Sequence, residues 1–176
     1  MADVLVVVDM QNDFIDGSLG TKEAVGIVGN VVEEIKGDYD LIVCTRDTHG
    51  EDYLETNEGR HLPVVHCVEY SEGWELRKEV SDALEERSFV RILDKPNFGS
   101  YQLVDMLKEY DADRKIDSIT LIGLCTDICV VNNALLLKTA FPEIKIAVKK
   151  DCCAGVTPES HDAALMTMKM CQIEIE

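Results

Sequence analysis

Residues Ile119–Val131 read ITLIGLCTDICVV, and the parsing of this stretch decides the fold. It opens as a short apolar run bounded by turn signals, which is how a buried strand is written. The run breaks at Gly123 and restarts at Thr126-Asp127, residue types whose side-chain oxygens satisfy the free N–H groups of a helix start. Cys129 then falls in the first turn of the new helix. Unpaired N–H groups and the helix dipole favour negative charge there, which predicts a thiol that ionises more readily than a free cysteine. Alone, such a cysteine is more often a small buried residue beneath its helix. Its meaning depends on what the topology brings beside it.

Outward from this stretch, strand and helix patterns alternate. Val4–Val8 is a β-branched run ending in Asp9, Gln11, Asn12 and Asp13, the pattern of a strand buried on both faces. Glu23–Lys36 carries Val28, Val31, Val32 and Ile35 at helical spacing, against the weakening effect of Gly26 and Gly29. Tyr39–Cys44 reads as a second strand and Phe89–Leu93 as a third, with a charged surface helix over Trp74–Glu86 between them. Ser100 caps a helix to about Tyr110, and the helix after the opening stretch lasts to about Ala140. Ile144–Val148 is a fifth strand, Thr157-Pro158 a helix start with proline at its first position, and Cys171–Ile175 a short sixth strand.

This alternation predicts a three-layer α/β fold: a mostly parallel six-stranded sheet with helices on both faces. No internal repeat or linker interrupts it, so residues 1–176 are expected to form a single domain. The segment from Asp47 to Gly73 is longer than connections usually run, and loops of that kind tend to be functional.

Composition narrows the partners. A net charge of −17 argues against nucleic acid and anionic membrane, and it makes recruitment of a metal cation electrostatically easy. No apolar run reaches membrane-spanning length. Seven cysteines without regular spacing, behind an N-terminus lacking a basic region and a cleavage site, fit a reducing cytoplasm. Cys44, Cys67, Cys152, Cys153 and Cys171 read as packing residues.

In an open parallel sheet, ligands bind outside the carboxyl ends of the strands. Asp9 ends the first strand, Asp47 and His49 follow the second, Lys95 follows the third and Cys129 the fourth, so topology gathers at one edge what the sequence scatters. Each has a bland reading: a loop acid, a satisfied turn, a solvated lysine. All five at one edge is a much rarer arrangement. A cysteine attacking a carbonyl needs a base, and Asp9 is the available carboxylate. A nearby lysine lowers the cost of the thiolate and holds the acid ionised. Backbone N–H groups around Cys125 and Cys129 are placed to serve as an oxyanion hole. Asp47-Thr48-His49 puts two ligands on one side of an extended segment, with His66 as the next candidate. Two histidines and a carboxylate with open positions suit zinc, iron or manganese.

VVVDMQNDF, TRDTHG, the Lys95 of DKPNFGS and GLCTDICV, in this order, resemble the isochorismatase-like cysteine hydrolases, and within them the nicotinamidases. The resemblance spans nearly the whole chain. It implies a triad of Asp9, Lys95 and Cys129, and a non-proline cis peptide between Leu124 and Cys125 shaping the oxyanion hole. It also implies one divalent transition metal, zinc before iron or manganese, on Asp47, His49 and His66. The implied reaction is nicotinamide to nicotinate and ammonia through a cysteine thioester, in a homo-oligomer. Nicotinamidases usually carry Trp-Pro-x-His at the last metal ligand, whereas Leu62-Pro63 here precedes His66 by one residue more. The aromatic wall against the substrate ring is then either missing or supplied from elsewhere, by Phe14, Phe98 or Trp74. Cys125 stands where alanine is common. Another small amide, a carbamoyl compound or an isochorismate-like substrate is the alternative within the enzyme class. A non-catalytic metal- or ligand-binding module is the alternative outside it.

Overall fold

The computed structural model describes all 176 residues. Its strands are β1 (Ala2–Val8), β2 (Leu41–Asp47), β3 (Val90–Lys95), β4 (Ile116–Leu124), β5 (Lys145–Ala154) and β6 (Glu174–Ile175). They form one sheet in the order β3-β2-β1-β4-β5-β6, with every neighbouring pair parallel. The helices are α1 (Asn12–Ile15), α2 (Lys22–Ile35), α3 (Asn57–His61), α4 (Lys78–Glu85), α5 (Tyr101–Arg114), α6 (Val131–Ala140) and α7 (Pro158–Met170). No helix is long and apolar enough to cross a membrane.

The β-branched run of β1 explains the three layers. Val4, Val6 and Val8 pack with Leu103 and Leu107 of α5, Leu137 of α6 and Met168 of α7. Leu5 and Val7 point the other way, into a second core with Ile27 and Val31 of α2 and Val80 of α4. A strand buried on both faces has no polar alternation to show, so it reads as a continuous apolar run. The chain winds outward from β1 to β3, then returns and winds the other way from β4 to β6. The order therefore reverses between β1 and β4, and the crevice at their carboxyl ends is where such sheets bind ligands. At this seam Gly123 adopts φ 114°, and a Cβ there would meet the Val8 carbonyl oxygen at 2.1 Å. Only glycine lets the two strands approach so closely.

The helix expected over Trp74–Glu86 begins only at Lys78. Trp74 lies in a turn, and the residues after it pair with a distant segment: Leu76 bridges Gln11, the Arg77 N–H donates to the Met10 carbonyl, and the Asn12 N–H donates to that of Glu75. A tertiary pairing has overridden local propensity. The long segment after Asp47 is not wholly irregular, since Tyr53–Glu55 forms a 3₁₀ turn and α3 follows it. The expected sixth strand shrinks to two residues, and Cys171 before it is exposed rather than packed.

The opening stretch also differs in detail. Thr126–Val130 is a π-helical turn, with the Val130 N–H reaching back to the Cys125 carbonyl. Thr126 and Asp127 do not cap it. The Thr126 hydroxyl pairs with His161 Nδ1 at 2.7 Å, and the Asp127 carboxylate accepts the Val156 N–H. Wide turns of this kind occur frequently at functional sites.

Candidate active site

Asp9 follows β1 in a left-handed conformation, φ 48°, with its N–H held by the Thr45 carbonyl at 3.1 Å. Its side chain is fully buried. Oδ1 accepts the Thr45 hydroxyl at 2.7 Å, and the Lys95 ammonium lies 2.6 Å from Oδ2. The same Nζ donates to the Asn97 carbonyl at 3.1 Å and stands 3.5 Å from Cys129 Sγ. It is also 3.6 Å from Asp47 Oδ1. Lys95 is 1% exposed and Asp9 not at all, so each charge depends on the other. Removing one partner of such a pair costs about 3–5 kcal/mol, because the survivor is left charged and unpaired.

Burial works against the Lys95 charge, but Asp9, Cys129 and Asp47 outweigh it and hold the ammonium above its ordinary range. Burial raises the Asp9 carboxyl, with Lys95 pulling the other way. Cys129 departs from the sequence expectation. Burial, and then the charge of Asp9, push its thiol well above the usual cysteine range despite Lys95. Desolvation has defeated the helix start. The Leu124–Cys125 peptide is cis, as the resemblance implied.

Beside this trio Asp47, His49 and His66 converge, together with a residue that sequence reasoning missed. Glu58 of α3 completes a set whose ligand atoms all lie within 4.8 Å of one another. His49 Nε2 is 2.8 Å from Asp47 Oδ2, and His66 Nε2 is 3.5 Å from the same oxygen. His66 Nδ1 pairs with the Val64 carbonyl at 2.8 Å. A carbonyl only accepts, so neutral His66 carries its proton on Nδ1 and presents a lone pair from Nε2 to the cluster. Burial opposes the charge on Asp47, yet His49, His66 and Lys95 hold its carboxyl below the usual range. Asp47 Oδ1 is buried without a hydrogen-bond partner. Two imidazoles, two carboxylates and an unpaired buried oxygen fit a divalent transition metal. Tyr53, fully buried, packs at a tilt against His49 and edge-to-face against His66, with ring centroids 4.7 and 4.9 Å away, which fixes both rings. Glu58 and Tyr53 lie in an acidic loop whose sequence offers no ligand spacing, so nothing in it singled them out.

A cavity of about 220 Å³ opens between the trio and the cluster. Phe14, Phe98, Leu124, Cys125 and Ile128 wall it, while Cys129, Asp47, Glu58 and His66 supply its reactive side. Phe14 lies against His66, ring centroids 5.5 Å apart. Trp74 lies elsewhere: its Nε1 donates to Thr48 Oγ1 and its ring carries the Arg46 guanidinium at 3.7 Å. The expectation that it could face the substrate is therefore corrected. It is a strut behind β2.

The family model described as Isochorismatase domain matches residues 3–175. A nicotinamidase/pyrazinamidase of Mycobacterium tuberculosis is 25% identical over 188 residues, covering 97% of this chain and 96% of its own. The crystal structure of nicotinamidase/pyrazinamidase from Bacillus subtilis superposes with a TM-score of 0.83 at 26% identity, covering 99% of each chain. That of Pyrococcus horikoshii pyrazinamidase in complex with zinc gives 0.77 at 27%, covering 100% of this chain and 99% of the other. Fold, site and these likenesses define a hydrolase acting on amide C–N bonds. More particularly, the chain belongs to the isochorismatase family.

Proposed function

We propose that the protein is a nicotinamidase, converting nicotinamide to nicotinate and ammonia through a thioester on Cys129. One observation carries the reading: the Lys95 ammonium stands 2.6, 3.5 and 3.6 Å from Asp9, Cys129 and Asp47, so trio and metal cluster share a wall. A substrate held at the cluster by its ring would lay its amide over the sulfur. Fixing both ends in this way contributes about 7–11 kcal/mol toward the barrier in favourable cases.

The high thiol range of Cys129 means that the proton leaves as the sulfur attacks. Asp9 takes it, raised by burial into a better base, while Lys95 offsets the negative charge gathering on sulfur and carboxylate. The carbonyl oxygen becomes an oxyanion beside the N–H groups of Cys125 and Cys129. Collapse breaks the C–N bond, and Asp9 returns its proton to the departing ammonia. Water, deprotonated by Asp9, then attacks the thioester carbonyl, releasing nicotinate and restoring the thiol. Asp47, His49, Glu58 and His66 would hold a divalent metal, zinc being the first choice, which supplies a Lewis-acid anchor for a ring nitrogen.

Ammonia release from nicotinamide, benzamide and a carbamoyl amino acid tests the reading. Benzamide keeps the shape and lacks the nitrogen, so nicotinamide should be preferred by about tenfold or more in kcat/KM, equivalent to about 1.4 kcal/mol. Equal rates on the two, or turnover of the carbamoyl compound alone, would refute nicotinamide as substrate. Cys129→Ala should fold and release no ammonia.

A further inference from the structure

We propose that His161 is a positioning residue for the reaction, acting through Thr126 to hold the turn that presents Cys125 and Cys129 to the substrate. The turn needs external support. It is π-helical and has no side-chain cap at its start. The Thr126 hydroxyl, fully buried, is instead paired with His161 Nδ1 at 2.7 Å. The next residue repeats the tie, since both oxygens of Asp127 lie 3.2 Å from the Val156 N–H. Two successive residues of the nucleophile's turn are thus clamped to the first turn of α7 and to the segment leading into it from β5. That segment is itself firm: Thr157 and Ser160 cap each other's backbone at the start of α7, and the His161 N–H donates to the Thr157 carbonyl at 3.0 Å. Gly155 and Val156, just upstream, line the substrate cavity. The clamp therefore joins the cavity wall to the turn carrying the nucleophile. His161 does not line the cavity and acts through the Thr126 hydroxyl.

The inference rests on the amide-hydrolase reading, and histidine geometry supplies a test that separates the two. An asparagine places its terminal polar atoms near the position of Nδ1, whereas a glutamine places them near Nε2. His161→Asn should keep most of the wild-type kcat. His161→Gln and His161→Leu should lose about 10- to 100-fold in kcat with KM little changed, as expected for a misplaced reacting group. Thr126→Val should lose as much, and the double variant Thr126→Val/His161→Leu no more than either alone. The amide ¹⁵N–¹H resonances of Cys125 and Cys129 should move in His161→Leu and stay in His161→Asn. Wild-type kcat in His161→Leu, or losses that multiply in the double variant, would overturn the inference. Should His161→Leu not fold, the Asn and Gln variants decide, and equal kcat in those two overturns it. If the wild type hydrolyses no amide, the functional reading falls while the resonances still decide the clamp: unmoved in His161→Leu they overturn it, moved they support it.

Discussion

At Cys129 a helix start and a low-dielectric surrounding pull the thiol in opposite directions, and burial prevails over Lys95. After burial, the largest influence keeping the thiol protonated is the charge of Asp9, the residue cast as its base. Two properties that usually travel together should therefore separate. Asp9→Asn removes the proton acceptor and should abolish turnover, yet it also removes the nearby negative charge while leaving Lys95 beside the sulfur. The thiol titrates above the usual cysteine range in the wild type, so the midpoint in Asp9→Asn should lie at lower pH. The pH dependence of Cys129 alkylation by iodoacetamide, followed on its own peptide by mass spectrometry, reads this directly. A midpoint unchanged or higher in the variant would mean that Asp9 does not govern the sulfur.

At the scale of elements, the five residues of α3 decide whether the metal cluster has three members or four. Thr56 links the 3₁₀ turn to the helix by donating its hydroxyl to the Tyr53 carbonyl and accepting the Gly59 N–H. Gly59 lies so close to that turn that a Cβ would meet the Tyr53 carbonyl oxygen at 2.0 Å and Leu54 Cα at 2.8 Å. Both are backbone atoms of the same turn, which cannot rotate away as a side chain would. Gly59→Ala should cost about 1–3 kcal/mol through overpacking and should shift Glu58 away from the cluster. Titration calorimetry of metal-free protein with zinc should show affinity reduced by about 10- to 100-fold, with Glu58→Gln behaving alike. Wild-type affinity in both variants would make Glu58 a bystander. None of this was legible in the sequence, because the place of Glu58 in the cluster comes from a packing contact rather than from a spacing. The strands were legible, since Val4–Val8 and Ile119–Ile122, buried on both faces, leave no charged residue in the run. Helix starts were legible where a residue caps its own helix, as Ser100 and Thr157 do. They failed where side chains reach across the fold instead, as Thr126 and Asp127 do, or where distant backbone pairs, as at Leu76. The Asp47-x-His49 pair showed because both sit on one extended segment at a strand end.

The whole molecule brings the four candidate ligands together, so a metal held by them would bind the folded chain. Asp47 closes β2, His49 follows it, Glu58 comes from α3, and His66 stands on the loop whose Cys67 N–H is held by the Asp13 carboxylate at 2.8 Å. An unfolded chain keeps only the Asp47/His49 pair near each other, so binding free energy should appear as stability. Metal at about one hundred times its dissociation constant adds about 2.7 kcal/mol. For a chain of this length that corresponds to a rise of about 5–11 °C in Tm. All seven cysteines are free, and unfolded thiols bind zinc, which would mask part of its effect. Manganese prefers oxygen and nitrogen donors over thiolate, so its shift should follow its own affinity more faithfully. The net charge of −17 adds a long-range attraction for either cation, which added salt should weaken by screening. Thermal unfolding of metal-free protein with zinc or manganese, at low and high salt, therefore has a defined outcome. Both metals raise Tm, salt reduces the gain at fixed metal concentration, and His49→Ala/His66→Ala abolishes it. A rise that survives in the double variant would place the stabilising metal elsewhere. No rise with either metal in the wild type would leave the four side chains as a hydrogen-bonded cluster, with Asp47 Oδ1 unpaired for some other reason.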